Sequence, residues 1–207
     1  MAKRGEALEL AVLGLLHGSP LHGYELRKQL TGVLGWGRVL SFGSLYPCLK
    51  ALVRNGYIVE QQPDLDPDVR PSRRAKIVYA LTADGKERFD TLVSAAGPSA
   101  WDDDSFGVHF AFFGSTNAET RLRILEGRRS RLEERVDGVR AALARSRERV
   151  DAYTLELQRH GLESVEREVR WLNELIGRER AEQAAEQTEK IEDNGKTDKT
   201  STNKDDR

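Results

Sequence analysis

Apolar residues recur at helical spacing in three successive stretches near the start of the chain. The first stripe consists of Leu8, Ala11, Val12 and Leu15. The second consists of Leu26, Leu30, Val33 and Leu34, and the third of Leu45, Leu49, Leu52 and Val53. Each stripe ends at residues that interrupt helices, namely Gly18-Ser19-Pro20, Gly35-Trp36-Gly37 and Asn55-Gly56. The pattern predicts three compact helices, the third starting near Ser41 to Ser44.

Two strand-like segments and a fourth helix follow. Residues 58–62 and 76–81 have the composition of strands, and the loop between them carries three prolines. Thr82 then opens a helix with its inward side at Phe89, Leu92, Val93 and Ala96, and Gly97-Pro98 ends that helix. Three helices, a β-hairpin and a helix in this order predict a winged helix-turn-helix domain.

The second half of the chain has a heptad-like pattern. Apolar residues stand at Leu122, Leu125, Leu132, Val136, Val139, Leu143, Val150, Tyr153 and Leu157, in steps of three, four or seven. They predict one long helix. After a predicted break at His160-Gly161, a second helix carries Leu162, Val165, Val169, Leu172 and Ile176. Helices with such stripes need partners, so we expect dimer contacts from Leu122, Leu125, Leu132, Val136, Val139, Leu143, Leu162, Val165, Val169 and Leu172.

The fold predicted overall is mainly α. A winged-helix domain is expected over residues 1–97, a helical coiled-coil-like dimerisation domain over 98–181, and a disordered charged tail over 182–207. A short buried helix is expected between Phe106 and Phe113, a segment that holds four of the six phenylalanines. The tail is expected to be disordered because it has too few apolar side chains to offset the entropy of ordering.

Composition narrows the class of protein. The formal net charge is -1, so attraction to nucleic acid must come from a local patch. The single cysteine and the lack of a long apolar run predict a cytoplasmic protein that does not span a membrane. The histidines and Cys48 are too scattered in the sequence to form a metal site, so we expect no metal and no cofactor. No set of catalytic residues is recognisable, so we do not expect an enzyme.

The third predicted helix has two unlike faces. Its leucines face inward, so Ser44, Tyr46, Pro47, Lys50 and Arg54 must point elsewhere. A helix fits the major groove of duplex DNA, where hydroxyls and cations contact base edges and phosphates. The alternative is an ordinary solvated helix face.

Two further groups of cations are candidate DNA contacts. Residues 70–76 carry Arg70, Arg73, Arg74 and Lys76 with no acidic residue, as expected of a wing that touches phosphate. The alternative is a solubilising surface loop. Lys3 and Arg4 could act as an arm that contacts DNA, although a charged terminus is often merely solvated.

The chain closely resembles the PadR-like family of bacterial regulators. The matching residues are His22-Gly23-Tyr24-Glu25-Leu26, Ser41-Phe42-Gly43-Ser44-Leu45-Tyr46-Pro47, Leu49, Leu52, Gly56-Tyr57-Ile58, Tyr79-Ala80-Leu81-Thr82 and Gly85. The long carboxy-terminal region is similar to that of the family subgroup in which several helices dimerise. The charged tail and the proline-rich loop of residues 63–71 depart from the family pattern.

This resemblance implies a winged helix that usually represses transcription. It places Ser44, Tyr46 and Lys50 in the major groove and Arg73, Arg74 and Lys76 at the wing. Tyr24 would lie near the DNA backbone, with core packing as the alternative, and Ser41 completes the candidate DNA-binding set. The function expected is therefore a regulator that acts at the nucleoid as a homodimer on a pseudo-palindromic operator. The alternative function is a protein-interaction module that does not read DNA.

Two side-chain groups suggest regulation. Trp101, Phe106, Phe110 and Phe113 could line a pocket for a small aromatic effector, with ordinary packing as the alternative. Cys48 could act as a redox trigger, with buried packing as the alternative.

Overall fold

The computed structural model describes part of the chain in two compact units. It covers residues 2–34, 42–61, 77–146 and 151–201, with the backbone alone for residues 2–4, 33–34, 42–43, 145–146 and 190–201. The units are residues 1–120 and 121–207. The predicted boundary after Gly97 differs from this division, because Val108 belongs to the same hydrophobic core as the preceding helices.

The first unit begins with the predicted winged-helix order. Its elements are α1 (Ala2–Gly18), β1 (Leu21–His22), α2 (Gly23–Leu34), α3 (Phe42–Arg54), β2 (Ile58–Gln61), β3 (Val78–Leu81) and α4 (Ala83–Val93). The three strands form an antiparallel sheet in the order β1-β3-β2. This arrangement confirms the winged helix-turn-helix fold, and it adds β1, which is too short to show a periodic pattern.

The core of this unit is built from the predicted apolar stripes. Ala11 and Val12 of α1, Leu26 and Leu30 of α2, Leu45 and Leu49 of α3, and Phe89 of α4 are all almost fully buried. Helix α1 is buried more widely than its predicted stripe, because Leu10 and Leu13 are also buried, whereas the predicted Leu15 is only half-buried. Burying one such side chain contributes roughly 1.5–3 kcal/mol to stability. For α2, α3 and α4 the stripes therefore determine which face of the helix points inward, whereas α1 is buried on most of its surface.

A short helical segment extends the unit beyond α4. It consists of α5 (Phe106–Ala111) and a 3-10 turn (Phe113–Ser115), in line with the short buried helix expected there. The Phe112 ring packs so closely on α1 that a methyl group on Gly14 would overlap it. Gly14 therefore provides the space that α5 needs against α1.

The second unit contains two long helices that run antiparallel. They are α6 (Ala118–Ser146), which begins in the first unit, and α7 (Ala152–Ser201). Ion pairs join Arg121 to Glu179 at 2.8 Å, Arg128 to Glu168 at 2.9 Å and Arg140 to Glu166 at 2.7 Å. The acidic partner's number falls as the arginine's number rises, which is the register of an antiparallel pair.

The single long helix predicted from Leu122 to Leu157 is wrong, because α6 ends at Ser146 and α7 starts at Ala152. The Asp151 carboxylate accepts hydrogen bonds from the backbone N–H groups of Tyr153 and Thr154, both at 3.0 Å, and so caps α7. The Thr154 hydroxyl also donates to this carboxylate at 2.6 Å, and this hydrogen bond, together with the backbone bonds, lowers the pKa of Asp151. Heptad spacing continues across the break, so the spacing alone does not reveal it.

The break predicted at His160-Gly161 is also wrong, because α7 is continuous there. One glycine inside a helix costs only about 1 kcal/mol relative to alanine. The helix also continues to Ser201, in contrast to the disordered tail expected from residue 182. Alanine, glutamate, glutamine and lysine favour helix, and extending an existing helix is easier than nucleating one. In the described part of the chain, no helix is sufficiently long and apolar to span a bilayer.

Candidate nucleic-acid interface

The outer face of α3 presents polar and aromatic side chains. Leu45, Leu49 and Leu52 are at most 2% exposed, and they alternate with exposed Ser44, Tyr46, Pro47, Lys50 and Arg54. Tyr46 is 47% exposed although its ring is large and apolar. Burial of the leucines fixes the rotation of the helix, so the candidate recognition residues must point away from the core.

Tyr24 lies in the first turn of α2 and is 75% exposed. This exposure argues against core packing for its side chain. The start of α2 is anchored on two sides: β1 pairs with β3, and the His22 backbone N–H donates to the Glu25 carboxylate at 3.2 Å. Tyr24 is therefore presented to solvent by a segment with a fixed position.

Tyr79, on the central strand β3, is a residue of this region that the sequence analysis did not single out. It is only 5% exposed, and a methyl group on Gly23 would lie 3.4 Å from its Cε2 atom. Its hydroxyl donates to the Glu60 carboxylate, and burial, Glu60 and the Tyr46 phenol all raise its pKa. The sequence signal was its place in the family motif, but the neighbours of Tyr79 become visible only with the strand register.

The end of α3 is fastened to the wing and to α4 through Thr82. Gly56 ends the α3 turn with φ +76°, a backbone conformation that favours glycine. The Thr82 hydroxyl donates to the Gly56 carbonyl at 2.7 Å, and it accepts the Gly85 backbone N–H at 3.0 Å. The Thr82 N–H donates to the Tyr57 carbonyl at 3.1 Å. These bonds set the recognition helix relative to the hairpin.

The structure describes only part of the remaining residues that were predicted to contact DNA. Ser41, Arg73, Arg74 and Lys76 lie outside the described residues. Lys3 and Arg4 are part of α1, and their side chains are outside the described set. The contact of these two residues with DNA stays a prediction.

The predicted aromatic residues are partly brought together. Phe106 and Phe110 lie with ring centroids 5.8 Å apart, and Phe110 and Phe113 with centroids 4.9 Å apart. Phe106 is buried, whereas Trp101, Phe110 and Phe113 are half-buried. Ring contacts of this kind occur in ordinary packing and also in a partly open aromatic surface. The effector pocket and ordinary packing therefore both remain as interpretations.

Cys48 packs at the edge of the hydrophobic core and is half-buried. Burial, with a smaller contribution from Glu9, raises the pKa of its thiol to about 12. Since the thiolate is the reactive form, this environment favours the packing role over the redox trigger. Among the described residues, no group of histidine, cysteine, aspartate and glutamate side chains is arranged to hold a metal ion.

The predicted dimerisation residues fall into two groups. Leu125, Leu132, Val136 and Leu172 are buried within the single chain. The others are half-buried, namely Leu122, Val139, Leu143, Leu162, Val165 and Val169. A groove of about 510 Å³ between α6 and α7 is lined by Val136 and Val169 together with charged residues such as Arg140 and Glu166. The half-buried residues therefore retain exposed apolar surface that a partner chain could bury.

The three-helix core, the hairpin and the exposed face of α3 define the winged helix-turn-helix class of DNA-binding domains. Residues 12–91 match the transcriptional regulator PadR-like family. These residues therefore form a domain of the PadR-like family, which confirms the family predicted from the sequence. No curated protein is similar enough in sequence to count as a match. Membership of the subgroup with a long carboxy-terminal region stays a prediction.

Several solved structures have overall similarity to the chain. Bacillus subtilis PadR in complex with operator DNA is 20% identical with a TM-score of 0.39, covering 83% of this chain and 98% of that one. A PadR-like transcriptional regulator from Bacillus cereus is 21% identical with a TM-score of 0.36, covering 84% and 99%. Bacillus subtilis PadR in complex with p-coumaric acid is 20% identical with a TM-score of 0.38, covering 84% and 98%. These overall similarities are too low to support an inference.

Proposed function

We propose that this protein is a sequence-specific DNA-binding repressor that acts as a homodimer at the nucleoid. The observation that carries the proposal is the outer face of α3, where Ser44, Tyr46 and Lys50 are exposed while the leucines between them are buried. Hydroxyl and ammonium groups on one helix face can donate to base edges in the major groove and to phosphates. Repression then follows from occupying a promoter.

The wing supplies phosphate contacts in this proposal. Residues 70–76 lie between β2 and β3 in the sequence, and their Arg73, Arg74 and Lys76 bind phosphates in this proposal. Tyr24 and Ser41 contribute further backbone contacts, and Lys3 and Arg4 add charge at the start of α1. Each neutralised phosphate releases about 0.9 counterion, so operator affinity falls steeply with salt.

Dimerisation supplies the second recognition helix, which binds the second half-site of the operator. The half-buried residues Val139, Leu143, Val165 and Val169 give apolar surface to the partner. A homodimer places two copies of α3 in successive major grooves, so the half-sites lie about 10 bp apart. Sedimentation of the wild-type protein and a Val165→Asp variant tests this step: we expect a dimer for the wild type and a weaker dimer for the variant.

The last part of the proposal is regulation by a small-molecule effector. Trp101, Phe106, Phe110 and Phe113 form the aromatic surface that would bind a small aromatic compound and release the DNA. Titration with aromatic acids should then quench tryptophan fluorescence and release labelled operator. If neither signal changes, the aromatic residues serve packing alone.

The DNA-binding proposal is tested with fragments selected from random duplex DNA. The promoter upstream of the protein's own gene serves as a second probe. Lys50→Ala should weaken operator binding by about 1 kcal/mol or more, because Lys50 lies on the exposed face of α3. Lys86→Ala, which removes an exposed lysine of α4, is the matched control and should bind as the wild type does.

The wing is tested by the salt dependence of binding. In a plot of log affinity against log salt concentration, the combined Arg73→Ala and Arg74→Ala variant should have a slope that is smaller in magnitude by about two units or less. Binding without any sequence preference would instead support the protein-interaction module. Unchanged operator affinity in both the Lys50 variant and the double arginine variant would refute the assignment of the interface.

A further inference from the structure

We propose that Tyr79 is a positioning residue for DNA recognition, which holds the Glu60 carboxylate and sets Tyr46 of the recognition helix in place. This inference rests on the proposed function, since it concerns how the same interface discriminates between sequences. Tyr79 itself is too buried to contact DNA, so its effect must pass through the side chains that it touches.

The geometry places Tyr79 between the elements of the interface. It lies on β3, the central strand, where it is opposite Leu21 of β1 on one side and Glu60 of β2 on the other. Its ring edge lies against Gly23, the residue before the exposed Tyr24. One buried ring therefore contacts the start of α2 and a wing strand, beside the recognition helix.

The chemistry gives this ring more than a packing role. Residues directly opposite in an antiparallel pair share a face of the sheet, so the Tyr79 hydroxyl can reach and donate to the Glu60 carboxylate. Glu60 is exposed on β2, a strand that would lie near DNA in the proposed function, and an untethered carboxylate there would repel phosphates. Held by Tyr79, the carboxylate stays in one place.

The Tyr46 phenol is the third member of this group. Its electrostatic influence raises the pKa of Tyr79, and Tyr46 itself is 47% exposed. The Tyr79 hydroxyl is protonated at neutral pH, since the ordinary pKa of tyrosine is about 10, and burial raises this pKa further, so the hydroxyl is a donor. Tyr79 thus connects a fixed anion on the wing to an exposed phenol on α3.

The experiment measures the ratio of operator affinity to non-specific affinity for Tyr79→Phe. This change keeps the ring in the core and removes only the hydroxyl. We expect the ratio to fall about tenfold, the effect of losing one hydrogen bond to a charged group. Tyr57→Phe removes a hydroxyl elsewhere in the domain and should leave the ratio unchanged. Glu60→Ala, at an exposed position, gives the same test without disturbing the core and should also lower the ratio.

Coupling distinguishes a positioning role from a general structural one. Tyr46→Phe should cost less specificity in the Tyr79→Phe background than in the wild type, whereas Lys50→Ala should cost the same in both. Glu60→Gln, which keeps an acceptor for the Tyr79 hydroxyl, should retain most of the wild-type ratio.

The outcomes separate the two proposals. A wild-type ratio in both Tyr79→Phe and Glu60→Ala would overturn the inference while leaving the DNA-binding proposal intact. Additive effects of the Tyr46 and Tyr79 changes would also overturn it. A wild-type protein without sequence preference would overturn the proposed function, and the positioning role with it.

Discussion

Replacing Gly85 with alanine tests whether the junction between the wing and α4 is as close as the structure indicates. Gly85 is in the first turn of α4, and its N–H donates to the Thr82 hydroxyl. A methyl group on Gly85 would overlap the carbonyl oxygen of Tyr57 and lie 2.9 Å from Leu81 Cδ1. The carbonyl belongs to the backbone and accepts the Thr82 N–H, so it cannot simply rotate away.

One stabilising effect and two destabilising effects decide the magnitude. Alanine is favoured over glycine in a helix by up to about 1 kcal/mol, which would stabilise the variant. Relieving the overlap must move backbone and costs typically about 1–3 kcal/mol, as for overpacked cores. Displacing Thr82 also weakens the cap of α4, which is worth roughly 0.5–2 kcal/mol. We therefore expect a net loss of about 2 kcal/mol.

Urea unfolding followed by circular dichroism measures this difference. Gly32→Ala is the matched control in the same unit, because nothing lies within 4 Å of the added methyl group. The control should be more stable than the wild type by about 0.5–1 kcal/mol. If Gly85→Ala were as stable as Gly32→Ala, the close approach of α4 to Tyr57 would be refuted.

Three further predictions each concern a single side chain. Cys48 should not react with a thiol reagent at pH 8 in the folded protein and should react fully in urea, because burial raises its pKa to about 12. Burial also lowers the pKa of His109 from 6.5 to about 4, so the unfolded chain binds the extra proton first. Stability should therefore fall as the pH drops from 6.5 towards 4, and His109→Gln should flatten this dependence; an unchanged slope would contradict the assignment. Leu132→Ala should destabilise the second unit by about 2–5 kcal/mol in urea unfolding, because the side chain is fully buried.

Much of the first unit was predictable because its signals are local. A stripe such as Leu45, Leu49 and Leu52 determines both that α3 is a helix and which face it buries. That same rotation exposes Tyr46 and Lys50, so the candidate recognition face follows from the pattern alone. Asn55-Gly56 likewise predicts the end of the helix, since glycine accepts the positive φ found there.

The second unit shows the limit of such patterns. Heptad spacing is the same in one long helix and in two helices joined by a turn, so the break before Ala152 was missed. The signal that could have revealed it is Asp151, whose side chain caps the following helix. At Gly161 the opposite error arose, because one glycine lowers helix stability without ending a helix that its neighbours support.

The sequence by itself determined the helices of the winged domain, the inward faces of α2, α3 and α4, and the residues on the outer face of α3. Tertiary structure alone decided that Tyr79 meets Gly23 and Glu60, that Thr82 fastens α3 to α4, and that α7 returns along α6. The physical reason is the range of the interactions. Periodicity, caps and turns act over a few residues, whereas cross-strand pairs and interhelical ion pairs join residues that are far apart in the chain and depend on the complete fold.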